Sequence, residues 1–85
     1  MDEVIVTVIV QEENERRIDL EIPVSLSVRK CKEMLRLANW MPQSDNSKFE
    51  VSLTGEEWNV LEDDVELSDV IYGDGAYIRV TINAL

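Results

Sequence analysis

The chain has one cysteine and no histidine among its 85 residues. Cys31 therefore has no second thiol for an internal disulfide, no imidazole with which to share a zinc ion, and none to draw off its proton. A lone thiol of this kind fits a reducing compartment. The other groups capable of chemistry are carboxylates, crowded into "LEDDVELSDVIYGDG", Leu61 to Gly75. An EF-hand calcium loop needs acids at alternate positions, glycine at the sixth and glutamate at the twelfth, and Asp63, Asp64, Glu66 and Asp69 lack that spacing. Gly73 and Gly75 begin a G-x-G-x-x-G pattern, but Ile78 stands at its last position and a strand follows where a helix is needed. The reading that fits is a scaffold crossing. Leu61, Val65, Leu67 and Ile71 face inward, the acids face water, and Gly73-Asp74-Gly75 turns the chain into its last strand. With no base beside a nucleophile, the residues point away from an enzyme and imply no cofactor.

Composition narrows the partners. Eighteen acids against eight bases give a formal charge of −10, which repels nucleic-acid phosphates and anionic headgroups. Neither nucleic acid nor a membrane surface is an expected partner. At 45% hydrophobic and 31% charged residues, the chain has enough apolar material for one core, and its length argues for a single domain over 1–85. The N-terminal "MDEVIVTVIVQEE" begins with acids and holds an apolar run of about seven residues. It resembles no signal peptide and falls short of the ~20 residues of a membrane span. The expected location is the cytoplasm.

The elements that would position these residues follow from periodicity. "VIVTVIV", Val4 to Val10, is a central strand with Val4, Val6, Val8 and Val10 toward the core and Ile5, Thr7 and Ile9 on the other face. "IDLEIPV" alternates as a second, hairpin-paired strand that Pro23 ends. Ser27 caps a helix in which Val28, Cys31, Met34, Leu35 and Ala38 share a face about 120° wide. Pro42 and "QSDNS" stop the helix. Phe49, Val51 and Leu53 alternate as a third strand, a short one follows near Trp58 to Leu61, and "YIRVTI" closes with Ile78, Val80 and Ile82 inward. The order is β-β-α-β-β-β, an α+β mixed sheet with one helix across it. This is the order of the ubiquitin-like β-grasp, in which the first and last long strands form a parallel central pair.

The crossing segment, with its Leu-Glu-Asp followed by Leu-Ser-Asp and an aliphatic, resembles the corresponding part of ubiquitin. Through "IDLEIPVSLSVRKCKEML" and "LSDVIYGDGAYIRV" the chain is further similar to the bacterial YukD/EsaB family of ubiquitin-like proteins. That resemblance covers nearly the whole chain in element order. It implies a type VII secretion system, whose machinery exports small helical WXG-type proteins, and a protein partner such as its ATPase or a cytoplasmic domain of a membrane component. Conjugation or sulfur transfer in this fold needs a C-terminal Gly-Gly, whereas the sequence ends "RVTINAL", so a non-covalent adaptor is expected. A ubiquitin-like interaction domain of another cytosolic pathway is the alternative. The sequence leaves the oligomeric state open.

Two surfaces are candidates for docking. Ile5, Thr7, Ile9, Tyr77, Arg79 and Thr81 would meet on the open sheet face, a mixed apolar and basic patch of the kind by which ubiquitin-like domains hold partners. The competing reading is plain strand formers in solvent. On the helix, Arg29, Arg36 and Trp40 share a stripe turned from the core, with Leu37 beside it. The competing reading there is a solvated face with Trp40 tucked under the following loop. Arg29 and Lys30 near the helix N-terminus oppose the macrodipole and ask for another reason. Trp58 is either a core plug or an exposed anchor.

Overall fold

The β-branched runs do form strands. The structure, a computed structural model, describes residues 3–12, 14–41 and 47–82. Its strands β1 (Glu3–Gln11), β2 (Glu15–Pro23), β3 (Ser47–Ser52), β4 (Asn59–Val60) and β5 (Ala76–Ile82) make one mixed sheet, and helix α1 (Val28–Leu37) follows β2. Strand order is β2-β1-β5-β3-β4. β1 and β2 pair antiparallel from Glu3↔Pro23 to Gln11↔Glu15. β1 and β5 pair parallel, with Val8 opposite Ile78 and Val10 opposite Val80. The two most apolar strands thus hold the centre as a parallel pair.

Alternation puts Val4, Val6, Val8 and Val10 on the helix side, all buried, beside Ile78, Val80, Phe49 and Val51 from the neighbouring strands. Val28, Cys31 and Leu35 close the core from α1, and Leu67 and Ile71 from the β4–β5 crossover. The expected helix face is only partly the observed one. Met34 is half-buried, Ala38 is exposed, and Lys32 is buried instead. A lysine can lie there because its Nζ reaches Asp63 Oδ1 at 2.9 Å, so the stem is covered while the charge stays paired.

The crossover also completes the helix start. The first amides of a helix have no partner within it. Here Val28 N–H donates to Val65 C=O at 2.9 Å and Arg29 N–H to Asp63 C=O at 3.0 Å. Lys30 N–H donates to Ser27 Oγ at 3.2 Å, the capping bond expected of Ser27. The first turn of α1 has no acid of its own. The acids that offset the macrodipole beside Arg29 and Lys30 come from the crossover.

At the other end Asn39 takes the left-handed conformation, φ 62°. Trp40 N–H donates to Leu35 C=O at 2.8 Å and Asn39 N–H to Arg36 C=O at 3.0 Å. These two bonds are a Schellman stop, with asparagine where glycine is commoner. The stop expected from Pro42 and the polar run lies outside the described residues. The third strand is shorter than its alternation suggests: it ends at Ser52, and Leu53 is 53% exposed rather than inward. Ser52 is itself fully buried, and its Oγ accepts from Thr54 N–H at 3.3 Å and Gly55 N–H at 2.7 Å, so the chain turns before Leu53 can join the core.

Candidate protein-docking face

That turn builds the most elaborate part of the open sheet face. Thr54 Oγ1 accepts from Glu56 N–H at 3.1 Å and Glu57 N–H at 3.4 Å. Gly55 has φ +88°, and a Cβ there would come within 3.2 Å of the Tyr77 ring. Glycine is thus required twice, by its conformation and by the ring packed against it. The tightened loop brings Trp58 down onto the sheet. Its ring meets Tyr77 edge-on at 6.5 Å between centroids and 61° between planes. The Arg79 guanidinium lies 4.0 Å from the centre of the Trp58 ring.

Arg79 is held from the other side by Glu50. Its Nε and Nη2 both lie 3.0 Å from Glu50 Oε1, and Lys48 Nζ is 3.9 Å from Oε2. The Glu50 side chain is only 7% exposed, a burial that a carboxylate sustains when its oxygens are paired. Glu50 and Arg79 are opposite one another in the β3–β5 register, so the sheet places the pair.

The expected sheet-face residues have different fates. Ile5 is 48% exposed, Thr7 and Tyr77 are half-buried, and Arg79 is half-buried in the ion pair and ring contact just described. Thr7 Oγ1 donates to Asp19 Oδ1 at 2.8 Å, tying β1 to β2 on the same face. Ile9, expected in the patch, is buried at 5%. It stands in register between Arg17 and Arg79, both longer side chains. Thr81 is half-buried. The usable face is therefore Ile5, Thr7 and Tyr77, continued by Trp58 and Arg79. Trp58 was not assignable to this face from periodicity, because it sits in a loop whose path depends on the Ser52 and Thr54 hydroxyls.

The helix stripe does not hold together. Arg29 is exposed and Arg36 half-buried, and together with Lys32 they lie close enough to Asp63 to influence its ionisation. The hydrogen bond from Lys32, with the three positive charges around it, lowers the Asp63 pKa below the usual carboxylate value. Trp40 leaves this side altogether. The left-handed residue before it turns the ring toward β2, where it borders an apolar recess with Leu20, Met34 and Leu35 and lies 5.1 Å under the Arg16 guanidinium. The helix ends at Leu37 and left-handed Asn39 redirects the chain, so the 100° per residue progression does not reach Trp40. Leu37 itself is 85% exposed.

Cys31 is buried in the core, and burial pushes its thiol up to about 12. Among the described residues no three metal-ligating side chains converge, and no helix is long and apolar enough to cross a membrane.

No protein-family model matches the chain, and no curated protein does. Solved structures do. The ubiquitin of Caldiarchaeum subterraneum superposes with a TM-score of 0.70 at 13% identity, covering 98% of this chain and 96% of that one. The C-terminal ubiquitin-like domain of mouse tubulin-specific chaperone e gives 0.71 at 16% identity, over 100% and 93%. Protomer 1 of the ESX-3 core complex gives 0.59 at 18% identity, over 98% of this chain but 19% of that protomer. At such identities the likeness is one of fold, and the fold is the ubiquitin-like β-grasp.

Proposed function

We propose that this protein is a non-covalent ubiquitin-like adaptor of a type VII, WXG-type secretion system, working in the cytoplasm and docking through its open sheet face. The observation that carries the docking is the Trp58–Tyr77–Arg79 cluster with Ile5 on the same face. Tryptophan, tyrosine and arginine dominate the binding energy of protein interfaces. Here Gly55, Ser52 and Glu50 fix them in place before any partner arrives, which lowers the entropy lost on binding. The assignment to secretion is supported by the sequence resemblance to the YukD/EsaB family and by the same fold occurring within a protomer of the ESX-3 core complex. The partner in this reading is the secretion ATPase or a cytoplasmic domain of a membrane component. In this reading the adaptor acts by binding, and its one thiol, buried in the core, takes no part.

The test is an affinity capture of tagged protein from detergent-solubilised source cells, eluted natively and after boiling in denaturant. A secretion ATPase or membrane component recovered natively, lost on denaturation and weakened at least tenfold by Ile5→Asp or Trp58→Ala is the expected result. Partners unrelated to secretion would favour an interaction domain of another cytosolic pathway. Attachment that survives denaturation would overturn the non-covalent reading.

A further inference from the structure

A second recess lies on the helix side of the sheet, away from the face just described. Val51, 3% exposed, forms its floor, and Leu61, Val70 and Asn59 its walls. Leu53 and Tyr72 form the rim, and they are 53% and 79% exposed. The volume is about 170 Å³, comparable to the ~150 Å³ cavities that admit a benzene ring. Both rim residues are apolar groups that the fold holds out rather than in. The Ser52 turn prevents Leu53 from following Val51 into the core. Tyr72 Oη donates to the Asp69 carbonyl at 3.2 Å, which pins the ring at the rim.

The stretch of chain that builds this recess is one-sided in charge, while Lys32, paired with Asp63, and Lys48, beside Glu50, line a neighbouring recess that shares Leu61. No lysine or arginine occurs between Lys48 and Arg79, and the same stretch carries nine of the 18 acids. That stretch supplies every residue lining the recess. Among the described residues only Glu50 and Asp63 of those nine form ion pairs. An apolar recess in such a field attracts an apolar side chain carried on a basic segment and repels both acidic peptides and anionic lipid.

We propose that this recess binds a basic peptide segment of a partner protein, with one aliphatic or aromatic side chain seated on Val51 between Leu53 and Tyr72 and flanking lysines or arginines facing the acids. The site is separate from the open sheet face and does not depend on the secretion reading. It gives an acidic adaptor a second point of attachment.

The experiment is a ¹H–¹⁵N NMR titration of the intact chain with four short peptides. Each carries a single Leu, Ile, Phe or Trp between paired lysines, with an all-lysine and a glutamate-flanked peptide as controls. The expected result is that amides of Leu53, Asn59, Leu61, Val70 and Tyr72 shift with at least one lysine-flanked peptide. Binding then weakens about tenfold when the apolar residue is replaced by serine, falls on raising NaCl from about 0.05 M to about 0.5 M, and is lost in Leu53→Ser and Tyr72→Ser. Both variants alter exposed side chains, and their spectra report directly whether the fold is kept. Equal shifts with the all-lysine peptide would reduce the site to diffuse charge attraction and overturn the proposal. So would shifts confined to the Trp40 recess or the open sheet face, or none at these amides with all four peptides. Concentration-dependent shifts of the same amides without peptide would reassign the recess to a second copy of the chain.

Discussion

Lys32 is the side chain whose type most misleads, a lysine buried between helix and crossover. Its stem fills the gap between α1 and the crossover while its ammonium reaches Asp63, so the two partners are unequal in exposure, 9% against 49%. Removing them should have unequal effects. Lys32→Met keeps the packing and should change stability by less than about 1 kcal/mol. Asp63→Ala strands a covered ammonium and should cost about 1 kcal/mol or somewhat more, the exposed carboxylate being well screened. Urea denaturation of both variants checks the order, and a larger loss for Lys32→Met would show that the stem is not what matters. The pair also sets a pH dependence. The Asp63 pKa is lowered in the folded state, so its contribution is complete above the unfolded carboxylate value near 4 and disappears as the pH falls through the folded value. Acid denaturation of Lys32→Met should accordingly lose most of this component, with Arg29 and Arg36 keeping the remainder.

At the scale of elements, helix α1 is delimited by chemistry from outside itself. Its first two amides bind crossover carbonyls and its last turn is closed through left-handed Asn39. Asn39→Ala should lose about 1 kcal/mol because alanine resists that conformation, while Asn39→Gly should match or slightly exceed the parent. Thermal melts of the two variants would show the contrast, and equal stabilities would mean that the turn relaxes to another form. The same elements show how far the residues alone could be read. The β-branched run Val4 to Val10, with Thr7 as its one polar residue, and the alternation of Tyr77 to Ile82 made β1, β5 and the core face of the sheet plain, because a register slip would have exposed every valine. Ser27 likewise announced the helix start. Leu53, Trp40 and Trp58 were beyond such reading. Each follows a turn whose direction is set by a hydroxyl or a single left-handed residue, and once the chain turns, periodicity counted from the preceding element no longer applies. Ile9 failed for a different reason, since outward residues on a central strand are covered by the longer side chains of both neighbours.

Across the whole molecule, a charge of −10 on 85 residues leaves repulsion that ion pairs do not remove, most of all in the base-free stretch between Lys48 and Arg79. Salt screens that repulsion. The melting temperature should rise by several degrees between about 0.02 M and about 0.5 M NaCl, as differential scanning calorimetry would detect, and a flat or falling curve would imply that the mapped ion pairs outweigh it. The parallel β1–β5 pair carries a consequence of another kind. The middle of the sheet is occupied by the strand that a ribosome makes last among the five, so the β1–β2 hairpin must leave the exit tunnel with its inner flank unpaired and α1 with no finished surface to lie on. Val6 and Val8 have no neighbour on that side until Ala76 to Ile78 arrive. The central pair of the sheet, and with it the full cover of the valine face, can therefore form only after β5 has been made.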